Sequence, residues 1–279
     1  MKILVTGAKG MLAKAVIERF KEHELILTDV EELDITNLEQ VEEFVMNCKP
    51  DVIINCAAYT AVDKAEEEAI LARKINADGP KNLAIAAKRE NCKLVHISTD
   101  YVFNGDLELG SVYKEDDLTA PVTVYGITKL EGEEAIKENM ENYYIFRTAW
   151  LYGDGKNFVR TMLRFGKERE KVDVVFDQHG SPTYTVDLAD VIYQALEKQI
   201  PYGIYHSTNM GYTTWFDFTK EIYKIAGISC EVNPVTSEQF KSLAKRPENS
   251  KLSKNKLLNA GIKIPDWENA LARYLEIEL

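Results

Sequence analysis

Short, almost wholly apolar runs alternate with amphipathic stretches along the first half of the chain. The apolar runs predict strands at residues 2–6, 24–29, 51–57, 93–99 and 142–147. The amphipathic stretches predict helices at 11–21, 37–48, 69–88 and 125–139, with Gly79-Pro80 interrupting the third. Because the runs lack polar alternation, each strand is expected to be buried on both faces, as in a parallel sheet between helices. The pattern predicts an α/β protein with a Rossmann-type, doubly wound parallel sheet.

The second half of the chain has a looser pattern. It predicts helices at 158–168, 186–198, 214–226 and 266–277, and strands at 172–176 and 203–208. We therefore expect residues 1–150 to form the core, with 172–198 returning to it. Residues 151–171 and 199–279 are expected to form a smaller, interleaved C-terminal lobe.

Composition and charge narrow the class of protein. The 279 residues are 45% hydrophobic and carry a net charge of -11. An acidic surface argues against nucleic-acid partners and against anionic membranes. No apolar run approaches the roughly 20 residues of a membrane span, and no signal peptide is recognisable, so a cytoplasmic protein is predicted. The cysteines and histidines show no ligand spacing, so no metal site is predicted and the thiols are expected to be free.

A glycine motif follows the first predicted strand. Gly7 and Gly10 stand at the mouth of the first helix, with the small Ala13 in the third position of the motif. Such a turn lets the backbone approach a pyrophosphate at a helix N-terminus, which makes the core NAD(P)-binding and the smaller lobe substrate-binding. Asp29 ends the second strand about twenty residues on, where a carboxylate accepts hydrogen bonds from a ribose 2′-hydroxyl. No Arg or Lys follows it in VEELD, so NADH is favoured, with NADPH as the alternative.

Tyr125 and Lys129 lie four residues apart on a predicted helix, and therefore share one face. A nearby ammonium is expected to lower the tyrosine pKa toward neutrality, a change of about 4 kcal/mol for three units. Tyr152 and Lys156 have the same spacing, but glycines between them indicate a loop. Gly126 is interpreted as leaving room for a ligand. The acidic residues that follow are interpreted as a solvated helix face: Glu131, Glu133 and Glu134.

The stretch STDYVFNG supplies hydroxyl groups near this pair. Ser98 and Thr99 end the fourth predicted strand, and ligands bind at the carboxyl ends of strands in open α/β sheets. A hydroxyl there is suited to contact a substrate carbonyl. Its position therefore favours the hypothesis that Tyr125 donates a proton.

Together these motifs resemble the extended short-chain dehydrogenase/reductases along almost the whole chain. The resemblance includes the glycine motif, the pair Asp34-Ile35, NCAAYTAVDKAE (55–66), INADGPKNLAIAA with Asn76, STDYVF and YGITK. Within that superfamily, FRTAWLYG and RPENSKL (246–252) look most like the enzymes that complete dTDP-L-rhamnose synthesis, a route to cell-surface polysaccharide precursors.

The resemblance implies an oxidoreductase that uses NAD(P)H on a nucleotide sugar. Hydride would reduce the 4-keto group of dTDP-4-dehydro-6-deoxy-L-mannose to give dTDP-L-rhamnose. Tyr125 would donate the proton, Lys129 would assist it, and Thr99 would bind the carbonyl oxygen. Besides Tyr125 and Lys129, the implied cofactor-binding residues are Gly7, Gly10, Met11, Leu12, Asp29, Asp34, Ile35, Ala57, Ala58, Tyr59, Thr60 and Asn76. The implied substrate-binding residues are Thr99, Asp100, Trp150 and Arg246.

Several alternatives stay open within this resemblance. Related 4,6-dehydratases carry Asp-Glu after the threonine, whereas this chain has Asp100-Tyr101, which argues against dehydration. Another nucleotide-sugar 4-reductase or 4-epimerase, or a non-catalytic dinucleotide-binding regulatory subunit, remains conceivable. Some relatives dimerise through magnesium held by glutamates, but the matching stretch here is 13–15, AKA, without a carboxylate. A monomer and a homodimer are both open.

Overall fold

A parallel β-sheet forms the centre of the molecule in the computed structural model, which describes residues 1–240 and 242–279. The strands are β1 (Lys2–Thr6), β2 (Glu24–Thr28), β3 (Val52–Asn55), β4 (Lys93–Thr99), β5 (Tyr143–Thr148), β6 (Leu151–Tyr152), β7 (Lys171–Val175), β8 (His179–Gly180), β9 (Thr183–Tyr184), β10 (Gly203–His206), β11 (Thr213–Thr214) and β12 (Glu231–Val235).

The central sheet has the strand order β2-β1-β3-β4-β5-β10, and every neighbouring pair is parallel. The predicted doubly wound α/β fold is confirmed. The chain passes from β1 outward to β2 and then returns across β1 to β3. The order of strands therefore reverses between β1 and β3, which is where open α/β sheets form a ligand crevice.

Helices cover both faces of this sheet. They are α1 (Met11–Arg19), α2 (Leu38–Cys48), α3 (Val62–Ala65), α4 (Ala69–Arg73), α5 (Gly79–Arg89), α6 (Val124–Asn139), α7 (Phe158–Glu168), α8 (Thr185–Glu197), α9 (Trp215–Ala226), α10 (Asn255–Asn259) and α11 (Trp267–Glu278). Helices α2, α5 and α6 bury apolar side chains against one face, and α1 and α8 against the other. No helix in the described ranges has the length and apolar character that crossing a membrane requires.

The predicted interruption near Gly79 takes the form of a π-helical turn. Residues Lys74–Asp78 form this turn between α4 and α5, so the helix continues with one wider turn. A Cβ at position 79 would fall 2.5 Å from Ile35 Cδ1, so a larger residue there would displace the Ile35 side chain. π-helical turns frequently mark functional sites, and this one contains Asn76.

The smaller lobe is built around the parallel pair β7–β12, against which α7 and α9 pack, with α11 in the same apolar cluster. Two sequence-based boundaries are wrong here. Strand β7 lies in this lobe and not in the core, because Val172 and Val174 are buried in the lobe's own apolar cluster. Strand β10 belongs to the central sheet, where it pairs with the edge of β5. Helix α8 packs against α1, so this later part of 172–198 does return to the core.

Candidate active site

A cleft runs along the carboxyl edge of the central sheet. Two adjoining cavities, of about 270 Å³ and 440 Å³, form it. They share the turn after β1 and the segment after β3, so the cleft follows the crevice at the strand-order reversal. The smaller cavity is lined by predicted cofactor-binding residues, namely Gly7, Gly10, Asp29, Asp34, Ile35, Ala57 and Ala58. The larger cavity is lined by predicted cofactor-binding, catalytic and substrate-binding residues, namely Met11, Leu12, Thr60, Thr99, Asp100, Tyr125, Lys129 and Trp150.

The turn after β1 packs closely against the segment after β3. Gly7 has a φ of +64°, and a Cβ there would lie 2.7 Å from the Cα of Ala57. The N–H of Gly10 donates to the carbonyl oxygen of Gly7, which closes the turn before α1 begins at Met11. No side chain caps this helix N-terminus in the described residues, and Gly10, Met11 and Leu12 of its first turn line the larger cavity. These features fit the pyrophosphate of a dinucleotide.

Asp29 stands at the far end of the cleft with a basic neighbour that the sequence argument missed. Its carboxylate accepts hydrogen bonds from the backbone N–H groups of Lys9 and Val30, at 3.0 and 2.9 Å. The ammonium of Lys9 pairs with Glu31 beside it. Lys9 precedes Asp29 by 20 residues and comes close to it through the parallel pairing of β1 and β2, so the residues that follow Asp29 in the sequence do not reveal this cation.

Tyr59 and Asn76 lie behind the cleft wall and are not among the residues that line the two cavities. Asn76 accepts from the backbone N–H of Tyr59 at 2.9 Å and donates to its carbonyl oxygen at 3.1 Å. It also donates to the hydroxyl of Thr128 on α6. The phenol of Tyr59 donates to Glu68. These contacts fix the segment after β3 against α6.

Thr99 and Tyr125 meet where β4 ends and α6 begins. The side chain of Thr123 caps α6 by accepting from the N–H of Gly126, which places Tyr125 in the first turn. Burial raises the pKa of Tyr125 to about 12; the Thr99 hydroxyl opposes this rise and the Asp100 carboxylate reinforces it. The expectation that Lys129 lowers this pKa is wrong for the structure, because desolvation of the phenolate dominates.

Lys129 is 1% exposed and turns its amino group toward the sheet. The Nζ atom donates to the carbonyl oxygen of Ile97 at 2.6 Å and lies 3.2 Å from His96 Nε2. Burial lowers the pKa of Lys129 to about 8, and the nearby Glu133 carboxylate opposes this change. Lys129 is therefore poised to change its charge near physiological pH.

Asp100 lines the larger cavity with a buried carboxyl group, and the Ser250 hydroxyl lies close enough to favour its ionised form. Its Oδ1 accepts from the Thr99 hydroxyl at 2.9 Å, while its buried Oδ2 has no hydrogen-bond partner among the described residues. Burial raises the pKa of Asp100 to about 7. A buried acceptor without a partner is unfavourable unless a ligand supplies a donor, and a sugar hydroxyl is suited to do so.

Glu133 corrects the interpretation of the helix glutamates as a solvated face. It is wholly buried, accepts from Arg147 Nε at 2.9 Å and Nη2 at 2.7 Å, and accepts from the Ser98 hydroxyl. Glu131 and Glu134 do lie at the surface, in ion pairs with α4 and within α6. The sequence spacing does indicate this position, because Glu133 follows Tyr125 and Lys129 at the same four-residue interval and therefore lies on the same face of the helix.

Gly126 makes room for the protein itself and not for a ligand. A Cβ on Gly126 would lie 2.2 Å from the carbonyl oxygen of Tyr101.

We expect Gly126→Ala to destabilise the fold by about 1–3 kcal/mol and to lower activity, because α6 must move away from the Thr99 strand end. Denaturant unfolding and steady-state rates check this. Gly110→Ala is the control, because nothing lies within 4 Å of that position; an equal loss in both variants would contradict the steric argument.

A third cavity, of about 770 Å³, opens from the cleft into the smaller lobe. Trp150 and Tyr101 line both this cavity and the larger cleft cavity. Trp150 stacks on Trp215 with ring centroids 3.7 Å apart and has a φ of +49°, a left-handed backbone conformation that is uncommon for a bulky residue. Arg246 lines this cavity, although its guanidinium is paired with Asp63 at 2.9 Å.

The sequence analysis missed most of this third cavity. Its walls come from α7, β7, α9 and the segment after β12, and they include Phe158, Phe165, Arg169, Gln178, Trp215 and Phe240. Aromatic residues at helical spacing are usually core residues, so only the fold reveals that these face open space. In the described residues, no cluster of three or more His, Cys, Asp or Glu side chains could hold a metal ion.

Comparisons with known proteins agree with this geometry. The family model for the RmlD substrate binding domain matches residues 1–279. A dTDP-4-dehydrorhamnose reductase from Aggregatibacter actinomycetemcomitans is 41% identical over 286 residues, covering 97% of this chain and 97% of the relative.

The chain belongs to the dTDP-4-dehydrorhamnose reductase family. Solved structures of the family have the same fold. A dTDP-4-dehydrorhamnose reductase from Clostridium acetobutylicum is 47% identical with a TM-score of 0.97, and covers 100% of this chain and 99% of its own. One from Bacillus anthracis, in complex with NADP, is 44% identical with a TM-score of 0.95, and covers 100% of both chains.

Proposed function

We propose that this protein reduces the 4-keto group of dTDP-4-dehydro-6-deoxy-L-mannose to give dTDP-L-rhamnose. One observation carries the proposal: Thr99, Tyr125 and Lys129 line a single cavity that joins the dinucleotide crevice on one side and the aromatic cavity of the smaller lobe on the other. The names of the family's characterised members support the choice of substrate.

Each residue at the site has a separate role in the reduction. The dinucleotide, when bound, supplies hydride to the carbonyl carbon. Tyr125 keeps its proton across the neutral range because its pKa is about 12, and it gives that proton to the developing alkoxide, which is a stronger base than a phenolate. Thr99 holds the carbonyl oxygen in reach of Tyr125, and the free Oδ2 of Asp100 accepts from a sugar hydroxyl.

The aromatic cavity of the smaller lobe is the proposed site of the thymidine diphosphate part. Trp150, stacked on Trp215, offers a flat apolar wall for a base or sugar ring. Arg169 and Arg246 supply positive charge for the diphosphate in an otherwise acidic protein. The base, diphosphate and sugar would then lie in order from this cavity to Tyr125.

Asp29 and Lys9 favour different cofactors. We propose that the Asp29 carboxylate has the larger effect and that the protein prefers NADH. Lys9, freed from Glu31, would instead attract a 2′-phosphate. We expect Asp29→Asn to tighten NADPH binding about tenfold relative to NADH, since a like-charge repulsion is removed. Lys9→Ala is the matched variant and should weaken NADPH alone. Fluorescence titration of both cofactors decides; wild-type protein that binds NADPH at least about tenfold more tightly than NADH contradicts the preference.

Turnover distinguishes this function from its alternatives. NADH or NADPH oxidation should follow addition of dTDP-4-dehydro-6-deoxy-L-mannose, with one cofactor oxidised per sugar reduced. An epimerase would convert a nucleotide sugar without net cofactor oxidation, and a regulatory subunit would bind the cofactor without turnover. Either outcome would contradict the proposed reduction.

A further inference from the structure

A row of polar side chains crosses the sheet beneath the cleft and ends at Lys129. Strands β1, β3 and β4 place Thr6, Asn55 and His96 side by side, since each pairs in register with the next. His96 is wholly buried. Its ring nitrogens lie 3.0 Å from Asn55 Nδ2 and 3.2 Å from Lys129 Nζ. The reduction proposed above uses neither Asn55 nor His96.

The orientation of the Asn55 amide is fixed by its other partners. Its Oδ1 accepts from the Thr6 hydroxyl at 2.7 Å and from the backbone N–H of Ala57 at 3.1 Å. A backbone N–H can only donate, so the amide nitrogen of Asn55 must be the atom that faces His96. That nitrogen donates to Nδ1 of the imidazole, which therefore carries no proton. In a neutral imidazole the proton is then on Nε2, the atom nearest Lys129.

An N–H group directed at Lys129 needs a lone pair to accept it. An ammonium has none, whereas an uncharged amine has one. The amine form accepts from His96 and donates to the carbonyl oxygen of Ile97, so both contacts are satisfied. Burial, which lowers the pKa of Lys129 to about 8, acts in the same direction.

We propose that His96, oriented by Asn55, favours the uncharged amine of Lys129 and so lowers the pH at which Lys129 gives up its proton. This inference rests on the proposed function and adds that the Lys129 ammonium stabilises the phenolate that Tyr125 becomes when it gives up its proton. His96 acts through Lys129 and is a positioning residue. Because the reaction needs the ammonium, activity should decline as pH rises through the pKa of Lys129.

Few other titratable groups surround Lys129. Thr6 on β1, Asn55 on β3 and Asn76 in the π-helical turn are polar but uncharged. Glu133 is neutralised by the bound guanidinium from β5. The titratable or charged neighbours in the described residues are His96 on β4, Tyr125 and Glu133 on α6, Arg147 on β5 and, next to Tyr125, Asp100.

The tautomer of His96 tests the inference without any turnover. Long-range proton–nitrogen spectra of histidine-labelled protein, recorded at neutral pH without cofactor, separate protonated from bare ring nitrogens. We expect a protonated Nε2 and a bare Nδ1, with the signal assigned by its loss in His96→Phe. A protonated Nδ1 would overturn the inference and leave the reductase proposal intact. Absence of turnover, conversely, would defeat the reductase proposal whatever the tautomer.

A second test inverts the tautomer. In Asn55→Asp the carboxylate can only accept, so Nδ1 is protonated and the bare Nε2 accepts from a Lys129 ammonium. We expect the basic limb of the kcat/KM profile, which reports the free enzyme, to move up by about one pH unit. The matched control is Asn55→Asp in a His96→Phe background, which keeps the new charge and removes the imidazole. A clearly smaller shift is expected there relative to His96→Phe, because only the charge of the carboxylate then acts on Lys129. An equal shift would assign the effect to charge alone and overturn the inference.

Discussion

Replacing Tyr125 by phenylalanine is expected to lower kcat by about 10²–10⁴-fold, the usual contribution of a positioned general acid. The variant removes one hydroxyl from a buried ring at the start of α6 and creates no large cavity. Cofactor binding should change little, because the dinucleotide crevice is formed mainly by the turn after β1 and the segment after β3. Steady-state kinetics and cofactor titration on the same preparation measure both quantities.

The chain contains its own control for this substitution. Tyr152 stands four residues before Lys156, the same spacing, but its phenol lies in the smaller lobe's apolar cluster and has no hydrogen-bond partner in the described residues. Tyr152→Phe should retain nearly full activity. If both variants lost activity equally, or if Tyr125→Phe stayed within a few-fold of the wild type, the proton-donor role would be refuted.

The second large effect concerns stability. Arg147→Leu should lower the free energy of unfolding by about 3–5 kcal/mol, because it leaves the wholly buried carboxylate of Glu133 without its counter-charge. The measurement is urea unfolding followed by circular dichroism and tryptophan fluorescence. The loss should also displace β4, because the Ser98 hydroxyl donates to the same carboxylate.

Two variants separate charge burial from general damage to α6. Arg73→Leu breaks the exposed pair with Glu131 on the same helix, and should cost no more than about 1 kcal/mol. Arg147→Leu combined with Glu133→Leu removes both charges and should recover much of the lost stability. If the double variant were as unstable as the sum of the single variants, desolvation of an unpaired carboxylate would not be the cause.

The sequence predicted the central elements well because their signals are local. Buried strands read as apolar runs and their helices as amphipathic stretches, so the bounds of β1 and β4 were predicted without error. What failed depends on distant partners. Strand β7 pairs with β12, 60 residues away between Asp173 and Asn233, and no local pattern separates such a strand from one in the core.

The residues of the candidate site also fall into two groups, those that local spacing predicted and those that it did not. The glycine turn, Thr99, Tyr125 and Lys129 were identified because spacing along single elements brings them together. Charges that meet across elements were not identified. Lys9 comes beside Asp29 through the pairing of β1 with β2, and Arg147 comes beside Glu133 through the packing of α6 on β5. The direction of the Tyr125 pKa also depends on burial, which spacing alone does not give.

The most direct test of the account follows the hydride to the sugar. The enzyme would be supplied with cofactor deuterated at the transferable position of the nicotinamide and with dTDP-4-dehydro-6-deoxy-L-mannose, and the product examined by NMR and mass spectrometry. The account predicts dTDP-L-rhamnose with a single deuterium on C4. A product without deuterium at C4, or with deuterium at another carbon, would contradict it.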